Sequence, residues 1–180
     1  SMTQQVSSSG KTGAAAGPGF DPRIVVFACN WCSYAGADTA GVSRIQHQPH
    51  FRMIRVMCSG RIQPAFVLRS FEKGADGVLV SGCHFGDCHY IFGNERAVEQ
   101  FEKTMNVVKL LGIEEGRLRL EWISAAEGAR FAEVMNDFVQ VLRGLGPLGD
   151  DEGLVAKLAA VNKLVPYIKI VKREKLESRL

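Results

Sequence analysis

Residues 77–90 read GVLVSGCHFGDCHY. The opening run, Gly77 to Ser81, is short, apolar and β-branched, with the length and composition of a buried strand. The nine residues that follow, Gly82 to Tyr90, crowd together Cys83, His84, Cys88 and His89. A strand ending on soft, metal-ligating side chains delivers them to the rim of a sheet, so its neighbours in the chain determine both the fold and the chemistry.

The same kind of unit recurs on either side. IVVFAC, Ile24 to Cys29, is a strand followed by a loop with Gly36 and the helix-compatible ADTAGVSRI. FRMIRVMC, Phe51 to Cys58, precedes a helix in which Pro64 suits the first turn and Gly74 the end. GVLVSGC, Gly77 to Cys83, leads into a helix from Asn94 to Leu111, where Ala97, Val98, Phe101, Met105 and Val108 recur at helical spacing. RLRLEWIS, Arg117 to Ser124, alternates Leu118, Leu120 and Trp122. A capping-box pattern, Ser124 to Glu127, then starts a helix carrying Phe131, Val134, Met135, Phe138 and Leu142, with a stop at Gly144.

Strands alternating with helices predict an α/β domain: a four-stranded open parallel sheet in the order 2-1-3-4, helices on both faces, flavodoxin-like and doubly wound. After Gly146-Pro147-Leu148-Gly149, the stretch DDEGLVAKLAAVNKL predicts a helix packing on the domain through Leu154, Val155, Leu158, Ala159 and Val161. The basic ending VPYIKIVKREKLESRL reads as a solvated terminal helix or a docking segment. The expected division is a flexible leader over residues 1–21, an α/β domain over 22–148 and a helical, basic extension over 149–180.

Composition narrows the function. With 180 residues, 46% hydrophobic and 23% charged, the chain is long enough to bury its own core. A net charge of +3 without a dense basic stripe argues against nucleic acid. No cationic, apolar leader opens the chain, and no apolar run approaches the roughly 18 residues of a membrane helix. A cytoplasmic protein without a membrane span is expected. In a reducing compartment the five cysteines, Cys29, Cys32, Cys58, Cys83 and Cys88, are not a disulfide framework.

The predicted topology gathers those cysteines. Cys29, Cys58 and Cys83 end the first three strands, and Cys32 and Cys88 follow in the next loops. All five share the rim where the strand order reverses, the usual ligand crevice of open α/β sheets. Three chemistries fit, beside the plain reading of unrelated buried thiols. The dithiol Cys29-Asn30-Trp31-Cys32 could run thiol-disulfide exchange, zinc could staple an interaction module, and a 2Fe-2S cluster could take four thiolates from several directions.

The runs VVFACNWCSYAGADTAG (25–41), MCSGRIQP (57–64) and GVLVSGCHFGDCHYIFGNERA (77–97) resemble the delta subunit family of methyl-viologen-reducing hydrogenase, the iron-sulfur subunit of non-reducing hydrogenases. The resemblance spans about Pro22 to Leu145. It implies a non-catalytic 2Fe-2S electron carrier between a hydrogenase or formate dehydrogenase and the flavin-containing subunit of a heterodisulfide-reductase-type, electron-bifurcating complex. All five cysteines then belong to the cofactor pocket. Cys32, Cys58, Cys83 and Cys88 are the expected iron ligands and Cys29 a thiol packed under the loop, with the exchange of Cys29 for Cys83 left open.

Several neighbours carry two readings. His84 and His89 could ligate iron in pairs, donate hydrogen bonds to cluster sulfurs or sit on a docking surface. Gly60, Gly82 and Gly86 serve turns or let backbone amides approach sulfur. Trp31 and Tyr90 shield the cluster, meet a partner or pack in the core. Arg61 is a surface or partner-pairing cation, Asp87 a turn acceptor, and His47 and His50 are solvated.

Overall fold

The computed structural model describes residues 19–42, 51–149 and 152–177. Most of the expected leader, His47 and His50, and the side chains from residue 165 onward lie outside what is described. The strands are β1 (Ile24–Cys29), β2 (Phe51–Val56), β3 (Gly77–Gly82) and β4 (Leu118–Trp122). The helices are α1 (Ser33–Val42), α2 (Pro64–Glu72), α3 (Gly93–Leu110), α4 (Gly128–Leu145) and α5 (Glu152–Glu177), with single 3-10 turns at Ser59–Arg61 and Glu115–Arg117.

The four strands lie in the order β2-β1-β3-β4, and every neighbouring pair is parallel. Successive side chains of a strand point to opposite faces, which divides the core in two. Ile24, Val26 and Ala28 of β1 and Leu79 of β3 pack with Phe131, Met135, Phe138 and Leu142 of α4, and Ala37 of α1 joins them. On the other face Phe27, Val78 and Val80 meet Val67, Leu68 and Phe71 of α2 and Val108 of α3. The doubly wound expectation is met in strand number, order and direction. Leu158 of α5, buried to 1% exposure, joins the second face, and Asn162 Nδ2 donates to Glu72 Oε2 at 2.7 Å. Among the described residues no helix is long and apolar enough to cross a membrane.

Element ends differ from expectation for local reasons. Helix α1 begins at Ser33 and takes in Gly36, because the Ser33 hydroxyl donates to Gly82 O at 3.2 Å. A Cβ at position 36 would sit 2.6 Å from Ser124 O, so only glycine allows this helix to lie so close to the β4 end. Helix α4 begins at Gly128, later than the capping-box pattern implied. Glu127 does reach back to the Ser124 amide, at 2.7 Å, but within a turn closed by Glu127 N–H to Ser124 O at 3.2 Å. The helix passes Gly144 and ends before Gly146, whose φ of 77° suits glycine. Helix α5 runs as one element from Glu152 to Glu177, through Pro166, where the sequence divides into two segments.

Arg117, expected at the start of a strand, is 1% exposed. Its Nη1 donates to Asp76 O at 3.1 Å and to Gly146 O at 2.9 Å, while Nε donates to Glu114 Oε2 at 2.6 Å. The guanidinium thus donates to buried carbonyls where α4 ends and β3 begins, tying the two together. Replacing Arg117 by Ala should destabilise the fold by about 2 kcal/mol, in the range for leaving buried carbonyls without their hydrogen-bond donor. Urea unfolding monitored by circular dichroism should show a lower midpoint with an unchanged slope.

Candidate metal centre

The β1–β3 register builds the centre. Ala28 pairs with Ser81, so Cys29, one residue on, stands beside the end of β3, from which Cys83 projects. Their sulfurs are 3.6 Å apart. Cys32, in the turn entering α1, completes a group whose three sulfurs all lie within 4.8 Å of one another. Cys88 packs against this group. Cys58, one residue before the 3-10 turn, shares the surface of Gly93 with Cys88: a Cβ there would lie 2.2 Å from Cys58 Sγ and 3.0 Å from Cys88 Sγ. All five sequence-predicted cysteines therefore meet at the carboxyl edge of the sheet, and each is a free thiol.

Close backbone approach makes room for them. Gly60 lies against Gly93, since a Cβ on Gly60 would be 2.5 Å from Gly93 O. Gly82 faces Ser59 and Trp122 and has no space for a side chain, as a Cβ would meet Ser59 Oγ at 2.6 Å. Gly86 instead serves a turn, with φ of 92°. Ile91 holds φ of 65°, a strained conformation for a β-branched residue, in the turn closed by its N–H to Cys88 O at 2.9 Å.

Thiols so crowded cannot all ionise alone. The hydrogen bond from Cys83 lowers the Cys29 pKa to about 6, helped by the backbone N–H groups of Trp31, Ser59 and Cys32 and opposed by burial. That same bond with Cys29, then burial, pushes the Cys83 thiol up. Burial also raises Cys32 and Cys58, with the Gly60 N–H partly offsetting it at Cys58. One shared thiolate among buried thiols is a preformed site for a thiophilic cation, whose charge would release the remaining protons. Number, softness and convergence of the donors, together with a glycine cradle beside two of them, fit an iron-sulfur cluster or zinc and suit neither magnesium nor calcium.

Each histidine of the loop has a protein partner of its own. His84 Nε2 is 2.7 Å from Glu127 Oε2, and Asn94 Nδ2 donates to His84 O at 3.0 Å, so both flanks of the loop are tied down. His89 stacks on exposed Trp31, with ring centroids 3.9 Å apart, and Trp31 Nε1 donates to Tyr90 Oη at 3.3 Å. Trp31 and Tyr90 thus belong to an exposed aromatic group, not to the core. The Asp87 backbone N–H donates to His84 O at 3.1 Å within the same turn. Sequence reading did not assign Gly93, Asn94 or Glu127 to the site. Of these only Glu127 carried a signal, its capping-box position.

The family described as methyl-viologen-reducing hydrogenase, delta subunit, matches residues 24–146. The chain is 52% identical over 128 residues to an F420-non-reducing hydrogenase vhc iron-sulfur subunit of Methanococcus voltae, a match covering 71% of this chain and 89% of that one. An F420-non-reducing hydrogenase iron-sulfur subunit of Archaeoglobus profundus is 50% identical over 128 residues, 71% of this chain and 93% of its own. A third similarity is to part of a longer protein. In Methanosarcina acetivorans, one subunit of the ferredoxin/F(420)H(2)-dependent CoB-CoM heterodisulfide reductase is 51% identical over 130 residues, 72% of this chain but 16% of that one.

Two outcomes test the site's construction. Gly93→Ala should keep the far-ultraviolet spectrum, because Ala favours helices over Gly by up to about 1 kcal/mol, yet bind markedly less iron or zinc per chain because the added methyl displaces Cys58. The Glu127 pKa is lowered from 4.5 to about 2 by the Ser124 amide and then by His84. A folded-state value below the unfolded one gives stability that is present above the unfolded pKa and lost as pH falls through the folded one. Acid unfolding of the wild type should therefore show a component between pH 4.5 and about 2 that Glu127→Gln lacks.

Proposed function

The chain belongs to the methyl-viologen-reducing hydrogenase delta subunit family, and on that footing we propose that it is a cytoplasmic 2Fe-2S electron-transfer subunit. It relays electrons from a hydrogenase or formate dehydrogenase to the flavin-containing subunit of a heterodisulfide-reductase-type complex. The observation that carries this reading is the meeting of five buried or half-buried thiols, from three separate strand ends, at one crevice. The names of the similar proteins support it twice over. Two are hydrogenase iron-sulfur subunits, and one is a heterodisulfide reductase subunit that contains a stretch similar to this domain within a longer chain. A domain found both separate and fused belongs beside its fusion partner.

Cys32, Cys58, Cys83 and Cys88 hold the irons in this proposal, and Cys29 is the fifth thiol. Cys29 already has protein partners: its sulfur is 3.8 Å from Met57 O and is surrounded by the amides of Trp31, Cys32 and Ser59. A bound cluster supplies a one-electron couple. The chain's own residues keep it dry, hold its ligands and donate hydrogen bonds toward sulfur, which tunes potential. The competing assignment exchanges Cys83 for Cys29, and the lowered pKa of Cys29 favours it.

Anaerobic reconstitution with iron and sulfide, followed by dithionite reduction and electron paramagnetic resonance, tests the cluster. One rhombic signal per chain, with two irons and two sulfides, is expected; stoichiometric zinc or a reversible Cys29–Cys32 disulfide with no such signal would overturn the reading. Among single Cys→Ser variants, those at 32, 58, 83 and 88 should lose the signal. Cys29→Ser should keep it, and the reverse result at 29 and 83 establishes the exchange.

A further inference from the structure

The second face of the sheet is covered by α2 over β1 and β3, which leaves the edge strand β2 open on that side. Between β2 and α2 runs a cleft of about 1400 Å³. Its apolar lining includes Ile54, Met57 and Phe66, exposed to 44%, 51% and 51%. Its charged lining has one sign: Arg23, Arg52, Arg61, Arg69, Lys73 and Arg96 border it, and among the described residues no acidic side chain does. Arg23 pairs with Asp76 and Arg69 with Glu72, and Lys73 also lies in the field of Glu72. Arg52, Arg61 and Arg96 have no acidic partner among the described residues, in a chain whose formal charge is only +3.

We propose that this cleft is the docking groove for an acidic, amphipathic segment of a redox partner protein. Charge complementarity decides the sign of the occupant: three cations with no acidic partner among the described residues, along an apolar floor, fit glutamate or aspartate side chains flanking apolar ones. Size decides its kind. The cleft exceeds the roughly 300–1,000 Å³ of small-molecule pockets. It also follows the sheet from Arg23 and Lys73, near the strand starts, to Met57, Gly60 and Arg96 at the strand ends, a length suited to several residues of polypeptide.

Position links the groove to the thiols. Met57 and Gly60 bracket Cys58, and Gly60 lies against Gly93, whose surface carries Cys58 and Cys88. A segment seated here brings its parent protein to the edge of the candidate metal centre. Arg61, read from the sequence as a surface or partner-pairing cation, forms part of one wall of the groove. That the partner is a redox protein rests on the electron-relay reading; that the groove takes an acidic polypeptide does not.

The test uses the full chain, labelled with nitrogen-15, and needs no cluster. The probe is a synthetic amphipathic peptide of about fifteen residues with glutamate on one face and leucine on the other; the control has glutamine for glutamate. Saturable shifts at Arg52, Ile54, Arg61 and Arg96, weakening as salt rises, are expected. The combined variant Arg52→Glu, Arg61→Glu, Arg96→Glu should bind about tenfold or more weakly, with an unchanged thermal midpoint showing that it folds. Equal binding of the glutamine control, shifts outside the cleft, or tighter competition by ATP or a single-stranded oligonucleotide would overturn the proposal. Paramagnetic resonance of the reconstituted chain reports separately on the relay: peptide binding without a cluster signal leaves the groove standing and removes the redox partner.

Discussion

The pairing of β1 with β3 is the constraint on which the site depends. Their parallel register, Ile24 with Gly77 through Ala28 with Ser81, brings together two strand ends that lie 54 residues apart in sequence and places the Cys29 and Cys83 sulfurs 3.6 Å from each other. A one-residue slip would turn Leu79 toward the wrong face and carry Cys83 away from Cys29 at once. Stability and site geometry are therefore enforced by the same apolar residues. Val26, Val78 and Leu79, each at 0% exposure, hold the sulfurs in place from below.

Above that register, glycine sets how tightly the loops close. Gly82, Gly60 and Gly93 form a chain of close contacts running from β3 through the 3-10 turn to the start of α3, and each would clash if it carried a Cβ. That chain draws Cys58 and Cys88, which come from different loops, onto one helix terminus. The electrostatic consequence follows from proximity. Buried thiols within hydrogen-bonding distance share a proton, so the Cys29 pKa falls while that of Cys83 rises, and added positive charge is the means by which all can ionise.

The surroundings differ in character on two sides. Trp31, His89 and Tyr90 form an exposed aromatic group joined by stacking and one hydrogen bond, whereas Met57, Gly60 and Arg61 open onto a cationic cleft. The two differ in what they offer: exposed ring faces on one, guanidinium groups over an apolar floor on the other.

Local sequence signals sufficed for most of the fold. The β-branched runs ending at Cys29 and Gly82, the helical spacing of Ala97, Phe101, Met105 and Val108, and the alternation of strand with helix determined four parallel strands in the order 2-1-3-4, because a strand and an amphipathic helix each declare themselves within a few turns of chain. The gathering of five cysteines at one rim followed from that topology. What the tertiary structure alone decided were contacts between residues remote in sequence. It drew Gly36 into α1 beneath Ser124, buried Arg117 against the α4 carbonyls, paired His84 with Glu127, and set Gly93 between two sulfurs. The open, cationic flank of β2 belongs with these. Whether a strand's face is covered depends on where a distant helix comes to rest, and no local pattern in FRMIRV encodes the position of α2.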